Sequence, residues 1–222
     1  PESDQATTLV RALAASGTLR FDGILTHAGH SYRAADDEGR LRVARQERDV
    51  MVRLADHLEH EGIDAEGVSV GSTPGMTVVD NLRGVTEARP GNYAYFDATQ
   101  VSLGACEATD CALTVLASVV STSRDHAVVD AGALALSKDV GRGDGKPSMG
   151  LLFADYGAGI LREDARLTGL SQEHGVVDAP LAVGERIRIV PNHSCLTNAC
   201  FDHVHAVRGE EVLDVWGVRR ER

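Results

Sequence analysis

Between residues 36 and 61 the apolar positions Leu41, Ala44, Met51, Leu54 and Leu58 recur close to the helical period, and charges fill the other face. This spacing predicts one long amphipathic helix, stopped by Gly62. Shorter stretches alternate around it. Residues 5–16 read as a short helix and 19–26 as a strand. Residues 68–70 read as a strand, 74–82 as a helix with Pro74 in its first turn, and 85–88 as another strand. Strands alternating with helices predict a parallel sheet or part of a β/α barrel. From about Ala98 the pattern changes. Residues 112–121, 127–130, 150–154, 166–170, 186–190, 199–207 and 212–218 read as strands, with Gly-rich connections such as Gly141-Arg142-Gly143-Asp144-Gly145. An antiparallel β-domain is expected there. The organisation is therefore α/β plus β, with residues 1–97 as a partial β/α barrel and 98–222 as a β-domain.

Composition narrows the class. The chain has 222 residues and is 43% hydrophobic but only 4% aromatic, so Val, Leu and Ala must supply most of the core. A net charge of −11 argues against nucleic acid and against an anionic membrane surface as partners. No run approaches the ~20 apolar residues that a spanning helix needs. Four irregularly spaced cysteines suit the thiols of a cytoplasmic protein better than a disulfide frame. The acidic start, Pro1-Glu2-Ser3-Asp4, lacks the pattern of a secretory signal. Pro in place of Met at the first position raises the expectation of a processed or partial chain. Of 22 Lys and Arg residues, only Lys138 and Lys146 are lysines.

The densest candidate chemistry is Pro191-Asn192-His193-Ser194-Cys195, directly after the alternating run Arg186–Val190. On extended backbone His193 and Cys195 point the same way. An imidazole and a thiolate so spaced can grip one ion, and nitrogen with sulfur favours zinc. Two protein ligands leave positions open for water or substrate. The same pair is also compatible with ordinary packing. With Cys200, His203 and His205 it could instead close a structural zinc site, although the Cys-x4-Cys spacing is wider than a usual knuckle. A second candidate is Val68-Ser69-Val70-Gly71-Ser72-Thr73-Pro74, a strand entering a helix. Gly71 allows close backbone approach, and Ser72 and Thr73 offer hydroxyls at a helix start that favours an anion. Plain N-capping explains the same residues. The loop Arg89–Tyr93 could add donors. Thr26–Tyr32 places two His and a Tyr after the first strand, where barrel enzymes carry active-site residues.

As a set, these segments resemble the D-serine dehydratase and D-threonine aldolase family of fold-type-III pyridoxal-phosphate enzymes. The matching stretches are Thr26–Tyr32, Val70–Pro74, Glu87–Asp97 (EARPGNYAYFD), Asp130–Asp139 (DAGALALSKD), Ser171–Gly175 (SQEHG) and Pro191–Cys195. The resemblance implies a TIM-like β/α barrel followed by a β-domain. It implies that Ser72 and Thr73, with Gly91 and Asn92, cradle the phosphate of pyridoxal 5'-phosphate, and that Tyr32 lies at the cofactor. His193 and Cys195 match the metal pair, with Zn2+ as the ion. His-x-Cys is similar to the zinc-dependent D-serine dehydratases, whereas the aldolases tend to carry His-x-Asp.

The implied activity is dehydration of D-serine to pyruvate and ammonia. Aldolase-type C–C cleavage is the alternative, and a non-catalytic cofactor-binding or structural zinc module is a further one. A racemase shares the general architecture, but the metal pair argues against it. The family's Schiff-base lysine lies well before the Thr26–Tyr32 segment, and neither Lys138 nor Lys146 matches it. The resemblance thus assigns no catalytic residue here. It implies the C-terminal part of an enzyme whose N-terminal part supplies the lysine, acting on a small D-amino acid as a homodimer.

Overall fold

The computed structural model describes residues 4–141 and 146–220. Four of the five residues in the Gly-rich connection 141–145, and Pro1-Glu2-Ser3, lie outside the described residues. The chain divides into two compact units, Pro1–Tyr93 and Ala94–Arg222.

The first unit runs α1 (Asp4–Ala14), β1 (Gly23–Leu25), α2 (Asp37–His60), β2 (Gly67–Val70), α3 (Thr73–Met76) and β3 (Glu87–Ala88). Its three strands form a parallel sheet in the order β1-β2-β3. Helix α2 forms for the reasons its sequence suggests. Asp36 caps it by accepting the Gly39 N–H at 2.7 Å, and Asp37 and Glu38 complement the positive end of its dipole. His57 and His60 lie in its last turn, and Gly62 leaves at φ +75. Its apolar face buries Met51, Leu54 and Leu58 against Ile24, Val68 and Val70 of the sheet and Val10 of α1. Asp36→Ala should lower stability by about 1 kcal/mol, since the Gly39 N–H loses its acceptor. A denaturation midpoint equal to that of the parent protein would contradict this assignment.

Two expectations fail in this unit. The helix expected over 74–82 is the single turn α3, because Gly75 and the β-branched Thr77, Val78 and Val79 give the segment little helical preference. The strand expected over 19–26 is the short β1. Gly23, at φ +155, passes so close to Gly67 that a Cβ there would meet the Gly67 oxygen at 2.2 Å.

The second unit runs α4 (Ala98–Ser102), β4 (Val115–Thr122), β5 (Ala127–Val129), α5 (Ala133–Leu136), β6 (Gly150–Asp155), β7 (Ile160–Leu161), β8 (Leu167–Leu170), β9 (Gly175–Val177), β10 (Arg186–Pro191), α6 (Ser194–Ala199), β11 (His203–Arg208) and β12 (Glu211–Gly217). Seven strands make an antiparallel sheet in the order β7-β6-β10-β4-β5-β9-β8. The sheet is curled: the Met149 N–H, just before β6, donates to the Leu167 oxygen of edge strand β8 at 2.8 Å. Val115, Ala117 and Val119 of β4, Ile187 and Ile189 of β10, and Leu167 and Val177 fill the inside of the curl. Period-two burial on β10 sends Arg186 and Arg188 outward, and the Arg188 guanidinium lies 4.2 Å from the Tyr156 ring centre. The strand expected over 199–207 begins only at His203, because residues 194–199 turn into α6. β11 and β12 pair as a separate hairpin.

Candidate active-site residues

In the first unit the chain leaving each parallel strand carries candidate residues, and hydrogen bonds tie these loops together. After β1, residues Gly29–Arg33 form a 3-10 turn that holds Ser31 and Tyr32. After β2 come Gly71, Ser72 and Thr73, and after β3 comes the loop with Gly91 and Asn92. Gly71 has φ +116, a conformation that favours glycine, and a Cβ there would meet the Arg89 nitrogen at 3.3 Å. Ser72 caps α3 by accepting the Gly75 N–H at 3.3 Å, and its hydroxyl lies 3.0 Å from that of Ser31. The Tyr93 N–H donates to the Thr73 hydroxyl at 3.1 Å, which draws the Gly91–Asn92 loop onto the start of α3. His27 Nδ1 lies 3.3 Å from the Gly71 oxygen, and its ring centre is 6.4 Å from that of Tyr32. Arg89 ties the strand ends together, donating to the Ser69 hydroxyl and the Thr26 carbonyl oxygen.

The hydrogen-bond roles in this group are informative. The Thr73 oxygen accepts from backbone and keeps its proton to donate. The Ser31 and Ser72 hydroxyls share one hydrogen bond in which either can donate. Two hydroxyls beside a helix start form a polar set that suits a phosphate. Ser31 was not singled out from the sequence. Its role depends on a residue 41 positions away.

In the second unit His193 and Cys195 do not share a strand, contrary to the expectation from alternation. Extended backbone ends at Pro191; His193 is the N-cap of α6, with φ −142 and ψ 96, and Cys195 is already in the first helical turn. Alternation along a strand therefore does not relate the two side chains. Both residues lie at a strand-to-helix junction. Asn192, which is buried, donates from Nδ2 to the carbonyl oxygens of Asp139 and Ser148, both at 2.7 Å. Its own carbonyl accepts the Thr99 hydroxyl at 2.7 Å. The buried Asp97 caps α4 through the Gln100 N–H and accepts the Ser194 N–H at 3.0 Å. The His193 ring then meets Asp139 Oδ2 at 2.9 Å through Nδ1. A carboxylate only accepts, so Nδ1 carries the proton, and in the neutral ring the lone pair is on Nε2. Asp97 and Asp139 close two of the segments read in the sequence, but their partners lie 97 and 54 positions away. No local pattern signals such contacts.

The other thiols offer little as ligands. Burial pushes Cys106 up to about 11 and Cys111 further still, so both stay protonated at neutral pH. Cys195 and Cys200 are exposed and free. Among the described residues no three His, Cys, Asp or Glu side chains come together as a metal cluster, so the four-ligand structural zinc site with Cys200, His203 and His205 finds no support. No helix among them is long and apolar enough to cross a membrane.

Comparison with known proteins agrees with this architecture. Residues 1–99 match the family model of the alanine racemase N-terminal domain, and residues 112–207 match that of the serine dehydratase domain. D-threo-3-hydroxyaspartate dehydratase of Delftia sp. is 38% identical over 213 residues, which cover 90% of this chain and 56% of that protein. D-serine dehydratase of Dictyostelium discoideum is 33% identical over 226 residues, covering 94% and 57%. The chain thus spans little more than half the length of these curated relatives. Among solved structures, a Cys-to-Ala mutant of D-threo-3-hydroxyaspartate dehydratase in the metal-free form superposes with a TM-score of 0.86 at 35% identity, covering 95% of this chain and 59% of that one. With one model matching each unit and full-chain likeness to these lyases, the chain belongs to the D-serine dehydratase and D-threonine aldolase family of fold-type-III pyridoxal-phosphate enzymes.

Proposed function

We propose that this chain is part of a pyridoxal-phosphate- and zinc-dependent lyase that removes water from a small D-3-hydroxy amino acid, with D-serine going to pyruvate and ammonia. The observation that carries the reading is His193, held through Nδ1 by Asp139 with Nε2 on the other side of the ring, and the free thiol Cys195 two residues on. That nitrogen–sulfur set fits a borderline-soft ion such as zinc. A related dehydratase solved in a metal-free form is in keeping with a metal in that enzyme. When bound, the cofactor would supply an electron sink for the α-carbanion, and the metal a Lewis acid for the departing hydroxyl.

This chain's own residues hold and orient. In this reading Ser72 and Thr73 donate hydroxyl protons to the phosphate, and Gly91 and Asn92 bring backbone against it. Tyr32 stands at the cofactor, and His193 and Cys195 hold the zinc. Neither lysine takes a catalytic role, so the Schiff-base lysine comes from the N-terminal part of the same enzyme. The two units correspond to the C-terminal part of a β/α barrel and the following β-domain. A homodimer in the cytoplasm completes the reading, and four free cysteines suit a reducing compartment.

D-threo-3-hydroxyaspartate is a second substrate reading, favoured by the identity to the Delftia enzyme. The test is to treat the intact protein with a chelator, assay both substrates for ammonia release, and then add zinc. Activity should fall on chelation and return with zinc. Turnover that survives complete metal removal would overturn the metal assignment. Release of glycine and an aldehyde in place of ammonia would move the assignment to the aldolases.

A further inference from the structure

Asp139 has no role in the reading above beyond touching His193, yet the surrounding chain is arranged to present it. Helix α5 ends at Ser137, which has φ +65 and ψ −167, a region that only glycine enters without strain. This turn redirects the backbone, and the Ser137 hydroxyl donates to Asp139 Oδ2 at 3.2 Å. The Asp139 carbonyl oxygen accepts from the buried Asn192 Nδ2 at 2.7 Å. Asp139 is thereby held to the residue next to His193, through backbone as well as side chain. His193 is itself pinned on both flanks, at Asn192 by Thr99 and at Ser194 by Asp97. The ring's remaining freedom is rotation, and the Asp139 carboxylate removes it.

We propose that Asp139 is the positioning residue of the metal site: its carboxylate holds the His193 ring by Nδ1, fixing tautomer and orientation so that Nε2 is presented to the ion. The inference rests on the reading of His193 and Cys195 as metal ligands. A carboxylate behind a ligating imidazole orients the ring and strengthens the metal bond, and its loss weakens metal binding by about 10–100-fold. Geometry and charge can be separated. Asn at 139 keeps an oxygen that accepts from Nδ1 but loses the charge, whereas Ala loses both.

The experiment is a titration of metal-stripped intact protein with zinc chloride against a competing chromophoric chelator. Parent, Asp139→Ala, Asp139→Asn and Cys195→Ala proteins are compared. Asp139→Ala should weaken zinc binding by about 10–100-fold, with Asp139→Asn in between. A second readout needs no metal. The His193 nitrogen resonances should show a single Nδ1–H tautomer in the parent and a mixture in Asp139→Ala. Asp139 and His193 are both roughly half exposed, so the fold should survive these changes. A purely structural role would shift the unfolding midpoint and leave zinc affinity and tautomer unchanged, and that result overturns the proposal. If Asp139→Ala matches the parent while Cys195→Ala loses zinc, Asp139 has no part and the metal pair stands. If Cys195→Ala binds zinc like the parent, the metal pair itself falls, and the inference with it.

Discussion

Replacing Cys195 with Ala is expected to lower turnover of D-serine or D-threo-3-hydroxyaspartate by about 1,000-fold, because a zinc ion held as proposed would supply several kcal/mol of Lewis-acid stabilisation to the leaving hydroxyl. Zinc content should fall with activity. Cys195 is exposed and lies in the first turn of α6. The unfolding midpoint should therefore stay where it is, which separates a lost ligand from a lost fold. Cys195→Asp makes the complementary case. A carboxylate is a harder donor, so this variant should retain a metal but prefer manganese to zinc. Parent-like, zinc-dependent turnover in Cys195→Ala would remove sulfur from the mechanism.

The second large effect concerns stability. Leu167→Ala should destabilise the second unit by about 2–5 kcal/mol, the range for deleting a fully buried leucine. Leu167 is completely buried, and its carbonyl accepts the Met149 N–H that closes the curled sheet. Neighbours from β4, β5, β9 and β10 surround the same core, so the cavity cannot collapse without moving several strands. Chemical denaturation followed by circular dichroism would measure the loss. A change under about 1 kcal/mol would mean that the sheet's interior is looser than its burial indicates.

Much of the fold was legible because it follows from local periodicity. Helix α2 announces itself through apolar spacing, an Asp cap and a Gly exit, and the structure places it over Asp37–His60. Strand β10 announces itself through Arg-Ile-Arg-Ile, one face packed and the other solvated. Strands β7 and β9 escaped notice, since two or three residues cannot display a period. Helix α6 escaped for a different reason. Ser194–Ala199 carries little apolar spacing, and its start is fixed by Asp97 holding the Ser194 N–H from 97 positions away.

The candidate residues divide in the same way. Residue types and spacing indicated a thiol and an imidazole near 193–195, and hydroxyls after β2, because donor chemistry is a property of side chains alone. How those donors are aimed was decided in three dimensions. The sequence suggested a flat strand under His193 and Cys195, whereas the folded chain puts a helix cap there. It also brings Asp139 to Nδ1 and Ser31 to Ser72. The sequence by itself determined which atoms could bind and which segments would be helical or extended, since both depend on neighbours along the chain. Only the tertiary structure decided which nitrogen of His193 meets a carboxylate and which hydroxyls meet one another, since a hydrogen-bond partner is chosen by distance in space.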